Sequence, residues 1–227
     1  MYAVIIPAAG TGSRMNLGYN KLFHKINNRT VIEHTVQWFI NDIKCRQIII
    51  VTSLDDKEKM SQLFDRQNRV ICVTGATSRQ ESIYQGLLTV TEEIVLVHDG
   101  ARPFINQQMI DDCYDIASKG FGAVCGVASK DTIKERVVDA VDTIGRTLKR
   151  EQLVMVQTPQ GFRTNILKKA NELAIESNSL HLATDDASLV ERYTEIPVKI
   201  VAGDYKNIKF TTVDDIDYFE FMLRRKR

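Results

Sequence analysis

The chain has 227 residues, 44% hydrophobic and 26% charged, enough apolar content to bury a core and too polar for a membrane-embedded class. Thirty basic against 29 acidic residues leave a formal charge of +1, which argues against broad adhesion to nucleic acid or to a membrane surface, so any phosphate binding must be local. Cys45, Cys72, Cys113 and Cys125 stand far apart without a CxxC pair, which favours reduced structural thiols in the cytoplasm over a disulfide frame or a zinc site. The N-terminal stretch lacks a basic leader and a long apolar core, and later apolar runs are only strand-sized, so neither export nor membrane spanning is expected. The four basic residues at 224–227 read as a frayed tail.

Apolar, β-branched runs at 3–6, 48–51, 70–73, 94–97 and 123–127 read as buried strands at nearly even intervals. Helix starts lie between and after them. Thr30 with Glu33 forms a capping box ahead of Val36, Phe39 and Ile40; Ser78 with Glu81 forms another ahead of Ile83 and Leu87; a third start, at 212–215, precedes Ile216, Phe219 and Leu223. This alternation predicts an α/β fold with a Rossmann-like, mostly parallel sheet covered by helices on both faces, whose ligands sit at the carboxyl ends of the strands. The rhythm breaks at 131–157. Segments 131–138 and 147–151 read as polar and extended around a turn near Gly145, a β-hairpin arm too poor in apolar residues for its own core and so expected to lie against a second subunit. No internal repeat or low-complexity linker appears, and the expectation is a single domain over 1–227 with an arm at about 131–156.

The loop after the first strand, PAAGTGSRM at 7–15, combines small residues with two glycines, which lets backbone N–H groups approach an anion closely. The spacing is neither a Walker loop nor a dinucleotide fingerprint, since Met15 stands where a third glycine belongs. Arg14 and then Lys21 would place two cations near whatever the loop holds. The fourth strand ends in HDGARPF at 98–104. Asp99 is suited to a hydroxyl or a divalent cation and Arg102 to a phosphate, with a salt-bridged turn as the competing reading, while His98 reads as structural rather than as a base. Later polar clusters, QTPQGF at 157–162, ATDDA at 183–187 and NIKFTT at 207–212, read as links between structured segments; Thr184-Asp185-Asp186 fits a helix cap, and Lys209 falls in a strand-like stretch.

Together PAAGTGSRM, Lys21, HDGARPF, KDTIK, QTPQGF, TDDASLVE and NIKFTT occur in the order and spacing of one family. From residue 3 to about residue 220 the chain resembles the 2-C-methyl-D-erythritol 4-phosphate cytidylyltransferases. The resemblance implies a homodimeric nucleotidyltransferase of the non-mevalonate isoprenoid pathway. It would join CTP and its polyol phosphate into 4-diphosphocytidyl-2-C-methyl-D-erythritol and pyrophosphate, by in-line attack of the substrate phosphate on the α-phosphate of CTP. With a second pKa of about 6, that phosphate is largely dianionic at neutral pH and needs no catalytic base. By the resemblance Arg14 and Lys21 are the catalytic cations, Ala8, Ala9, Gly10 and Gly12 line the triphosphate and cytidine, and Gly75 and Ser82 lie at the cytosine. Asp99 would take the acceptor's hydroxyls and Lys209 its phosphate side, with Arg102, Thr132, Arg150, Thr158 and Thr184 around it. Thr132 and Arg150 sit on the arm, which in this family crosses the dimer to make each site composite. Mg²⁺ is implied as well, held mainly by CTP phosphates and water.

The chain departs from the family pattern at Asn20, where proline is usual before the lysine, at 24–29, which is less apolar than usual, and at Val213, where proline is common. A D-ribitol-5-phosphate cytidylyltransferase would share fold and mechanism, and Gly100 with KDTIK favours the erythritol branch. A CTP-binding regulator without turnover would not require two cations at one phosphorus. A dehydrogenase lacks support without the third glycine and the acidic residue.

Overall fold

The computed structural model describes residues 1–10, 18–138 and 140–224. In chain order its strands are β1 (Tyr2–Pro7), the two-residue pair β2 (Lys25–Ile26) and β3 (Arg29–Thr30), β4 (Cys45–Thr52), β5 (Val70–Thr74), β6 (Ile94–Val97), β7 (Gly122–Ala128), β8 (Lys134–Val137), β9 (Ala140–Thr147), β10 (Val154–Arg163) and β11 (Val198–Ala202). The α-helices are α1 (Val31–Asn41), α2 (Lys57–Leu63), α3 (Arg79–Leu87), α4 (Gln107–Ser118), α5 (Thr164–Glu176), α6 (Asp186–Tyr193) and α7 (Asp215–Arg224). Seven strands form one sheet in the order β11-β7-β10-β6-β1-β4-β5. All run parallel except β10, which is antiparallel to both β6 and β7.

The apolar runs are two-sided, as parallel strands covered on both faces must be. On one face Val4 and Ile6 of β1, Ile48 and Ile50 of β4 and Leu96 of β6 pack with Val36 and Phe39 of α1, Met60 of α2, Ile110 of α4 and Phe219 of α7. On the other Ile5, Ile49, Val51, Val95 and Val97 meet Ile83 and Leu87 of α3, Leu167 of α5 and Leu189 of α6. Removing such side chains from water contributes about 1.5–3 kcal/mol each. Gly86 lets α3 approach the sheet, because a Cβ there would stand 2.9 Å from Ile5 Cγ2 and Val51 Cγ2.

Both expected capping boxes form: the Thr30 and Ser78 side chains accept from the backbone of Glu33 and Glu81, whose carboxylates return the bond. At α7 Asp215 accepts from the N–H groups of Thr211 and Thr212 at 2.7 and 2.8 Å. Asn27 and Asn28, at φ of 50° and 64°, close the β2–β3 hairpin in left-handed geometry that asparagine tolerates, so the unusual polar residues at 24–29 build a tight turn.

Four expectations are corrected. The 157–162 cluster does not link elements; it lies inside β10, at the centre of the sheet, with the register shifting between Val156 and Gln160 and a cis Thr158–Pro159 bond within the shift. Proline is tolerated in a central strand at such an irregularity, since no ladder donor is required there. The hairpin turn is not near Gly145. It falls between Val137 and Ala140, the second strand begins earlier than the sequence suggested, and Gly145 is the extra residue of a bulge where Glu135 faces Arg146 and Arg136 faces Ile144. The expected arm is also shorter, because residues from Val154 onward already pair with β7. Finally, the stretch around Lys209 is irregular rather than a strand.

Candidate active site

The chain passes from β1 outward to β4 and β5, then returns to β6 on the other side of β1. A reversal of this kind leaves a crevice beyond the carboxyl ends of the strands. A cavity of about 330 Å³ lies there, lined by Ala8, Ala9 and Gly10 after β1, Ala76 and Thr77 after β5, Ser82 on α3, and Asp99 and Gly100 after β6. Lys21, on a single 3₁₀ turn (Lys21–Phe23), and Lys209 complete the wall.

Each segment is held by local chemistry. Ser82, 2% exposed, accepts at Oγ from Ala76 N at 3.0 Å and ties the loop after β5 to α3. Gly75 permits this approach, since a Cβ there would stand 2.7 Å from Ser82 Oγ. A Cβ on Gly100 would stand 3.2 Å from Leu22 Cδ1, so that glycine lets the loop after β6 close on the Lys21 turn. The Lys21 ammonium donates to the carbonyl of Phe210, tying the turn to the segment that bears Lys209.

Asp99 organises the charge. Its carboxylate meets Lys209 Nζ at 2.9 Å, Arg102 Nε at 3.3 Å and an Arg79 guanidinium nitrogen at 3.6 Å. Burial alone would raise its pKa, but Lys209, Arg79 and Arg102 outweigh it and hold the carboxyl well below its usual range. The same cluster borders a second cavity of about 470 Å³ lined also by Thr158, Gln160 and Thr184. The two cavities share Arg79, Asp99 and Lys209, so molecules seated in each would meet at a wall of mixed charge.

Among residues expected from the sequence, Ala8, Ala9, Gly10, Lys21, Ser82, Asp99 and Lys209 line the first cavity, and Arg102, Thr158 and Thr184 line the second. Gly75 stands behind the wall. Asp99 and Arg102 also form the ion-paired turn that was the competing reading, while Asp185 caps α6 by accepting from Ser188 N at 2.9 Å. Thr132 and Arg150 are exposed on the arm and line neither cavity of this single chain; Arg150 donates to Lys130 O at 3.1 Å. Arg14 and Gly12 lie outside the described residues.

His98 is fully buried between the Thr158 hydroxyl and the Arg102 carbonyl, each 3.0 Å away, and burial pushes its pKa down to about 4. It is a neutral structural residue, as the sequence suggested. For a cation, the first cavity offers one carboxylate, Asp99, already engaged by three positive side chains, and no cluster of three metal-ligating residues occurs among the described residues. That donor set fits a Mg²⁺ carried on phosphate oxygens and water.

The family model for 2-C-methyl-D-erythritol 4-phosphate cytidylyltransferase matches residues 2–225. The chain belongs to that family. It is 44% identical over 227 residues to the cytidylyltransferase of that name from Bacillus velezensis, covering 98% of this chain and 96% of the relative, and 43% identical to the one from Bacillus cytotoxicus, covering all of both. The fold is similar to that of the 4-diphosphocytidyl-2C-methyl-D-erythritol synthase from Anaerococcus prevotii (TM-score 0.87, 29% identity, 99% of both chains). It is also similar to the cytidylyltransferase structure from Francisella tularensis (TM-score 0.81, 29% identity, 97% of this chain and 98% of that one).

Sequence reasoning within this cytidylyltransferase pattern left out Arg79. Its guanidinium reaches Asp186 at 3.2 Å as well as Asp99, and it borders both cavities. The signal was available: Arg79 opens a capped helix just after a small-residue loop, the position logic applied to Arg14. Its partner Asp186 is fully buried with Oδ1 unpartnered among the described residues, and burial, opposed by Arg79, raises its pKa.

Proposed function

We infer that this chain joins CTP and 2-C-methyl-D-erythritol 4-phosphate, releasing pyrophosphate. The observation that carries the chemistry is the pair of cavities meeting at Asp99, Arg79 and Lys209 beyond the strand ends. CTP occupies the first, with its cytosine against the Ala76–Thr77 backbone and Ser82 and its phosphates along Ala8, Ala9 and Gly10. The polyol phosphate occupies the second, its hydroxyls at Asp99 and its phosphate near Lys209 and Arg102, with Thr158 and Thr184 around it.

The two anions repel, and the protein's task is to align them and to neutralise charge as the α-phosphate becomes pentacoordinate. Lys21 and Arg14 serve that step. No base takes part, in keeping with a neutral, fully buried His98. Mg²⁺ bound to the triphosphate supplies further charge neutralisation. Thr132 and Arg150 reach the site of a second copy through the arm, where Val138 and Ile144 are 91% and 60% exposed and call for cover. The four free thiols suit the reducing cytoplasm.

The test is pyrophosphate release with CTP and Mg²⁺ in the presence of 2-C-methyl-D-erythritol 4-phosphate, D-ribitol 5-phosphate or no acceptor. Release with the erythritol compound alone supports the reading. Preference for ribitol overturns the acceptor, and silence with both overturns the activity.

A further inference from the structure

The turn bearing Lys21 is held by the side chain that precedes it. Asn20 is 6% exposed. Its Oδ1 accepts from Leu22 N at 3.1 Å, and its Nδ2 donates to Ala8 O at 2.9 Å and to Asp56 Oδ2 at 3.0 Å. One carboxamide therefore joins the cavity-lining loop after β1, the Lys21 turn and the start of α2. From α2, Lys59 Nζ also sits 4.0 Å over the Phe23 ring, a second contact on the same turn. The backbone of Asn20, at φ −62° and ψ 118°, is one that proline would adopt, so the geometry does not depend on asparagine's conformational freedom. What proline would lack is the three side-chain bonds.

We propose that Asn20 is a positioning residue for Lys21: its carboxamide, braced by Asp56, pins the Lys21 turn to the Ala8 carbonyl and sets where the ammonium stands in the wall of the first cavity. The proposal rests on the reading of Lys21 as the transition-state cation. A lysine side chain is flexible, so the protein controls its charge by fixing the root and the tip. Asn20 fixes the root and the Phe210 carbonyl receives the tip. A displacement of about 1 Å at a catalytic group can cost about 10²-fold in rate.

The experiment measures pyrophosphate release, with kcat and KM separated, for Asn20→Ala, Asn20→Pro, Asp56→Ala, Lys21→Ala and the double variants Asn20→Ala/Asp56→Ala and Asn20→Ala/Lys21→Ala, with thermal melts alongside. Asn20→Ala and Asn20→Pro should lower kcat by about 10- to 100-fold while KM for CTP moves less than about threefold. Asp56 makes no capping bond to its own helix, and its loss should lower kcat by about three- to tenfold. The Asn20/Asp56 double variant should be no slower than Asn20→Ala, because the bond that Asp56 makes to the turn is already lost with the Asn20 carboxamide. In the Lys21→Ala background the Asn20 change should add less than about twofold, since no ammonium remains to misplace. Wild-type kcat in Asn20→Pro would overturn the proposal in favour of backbone stiffness, and a full multiplicative loss in the Lys21→Ala background would mark Asn20 as general scaffold. Should Lys21→Ala alone keep wild-type kcat, the catalytic reading of Lys21 fails separately. If Asn20→Ala does not fold, Asp56→Ala in the two backgrounds carries the same comparison.

Discussion

Mild acid should weaken this fold well above the range where carboxylates titrate, and His98 is the reason. The Arg102 carbonyl can only accept, so Nε2 carries the ring proton; the Thr158 hydroxyl accepts from Asp99 N at 3.0 Å and donates to Nδ1. Burial is the main reason that the pKa falls from 6.5 to about 4, because a second proton would leave a charge in a fully buried site with Arg102 and Lys209 nearby, and it would force the Thr158 hydroxyl to turn from donor to acceptor. Because the folded value lies below the unfolded one, the unfolded chain protonates first as pH drops. The stability contributed is complete above pH 6.5 and is lost as pH falls towards 4. The full span corresponds to about 3 kcal/mol, and about 2 kcal/mol of it goes between pH 7 and 5. Asp99, also depressed, contributes stability that is lost only as pH falls below its ordinary 3.8, so the two windows separate. His98→Gln keeps a donor and an acceptor but does not titrate. Urea unfolding at pH 7, 6 and 5 should show the wild type losing about 2 kcal/mol more than the variant. An equal decline in both proteins would refute the argument.

Gly86→Ala should destabilise by about 1–3 kcal/mol through overpacking against Ile5 and Val51, despite the better helix propensity of alanine, and an unchanged melting temperature would show that α3 stands further off the sheet. Asp99→Asn should raise KM for the polyol phosphate by about tenfold or more, with KM for CTP within about threefold; a reversed pattern in steady-state kinetics would exchange the two cavities. If the arm completes a neighbour's site, mixed dimers of Arg14→Ala and Arg150→Ala subunits should regain up to about a quarter of wild-type activity, since random pairing places one intact site in half of the dimers. No recovery after demonstrated subunit exchange would count against a shared site.

Elements set by near neighbours in the chain were legible without a structure. The capping boxes at Thr30 and Ser78 join residues three apart, and the β-branched runs of β1, β4 and β6 read as strands because both of their faces are apolar. Small-residue loops after those strands pointed to the site for the same local reason. Strand β10 was illegible: Gln157, Thr158 and Gln160 look like loop residues until Asp204, His98 and Asp185 arrive as hydrogen-bond partners from distant segments. Polar side chains enter a sheet centre only when such partners exist, and sequence order does not state them.

The sequence by itself determined most of the alternating strands and helices, the caps at Thr30 and Ser78, and Lys21, Asp99, Arg102 and Lys209 among the charged residues around the candidate site. Tertiary structure alone decided that Arg79, Arg102 and Lys209 converge on one carboxylate, that Arg79 serves both cavities, and that Asn20 reaches Ala8 and Asp56. The reason is physical: propensity and capping act over one or two turns of chain, whereas electrostatic and hydrogen-bond partners are chosen by packing, which brings together groups the chain keeps far apart.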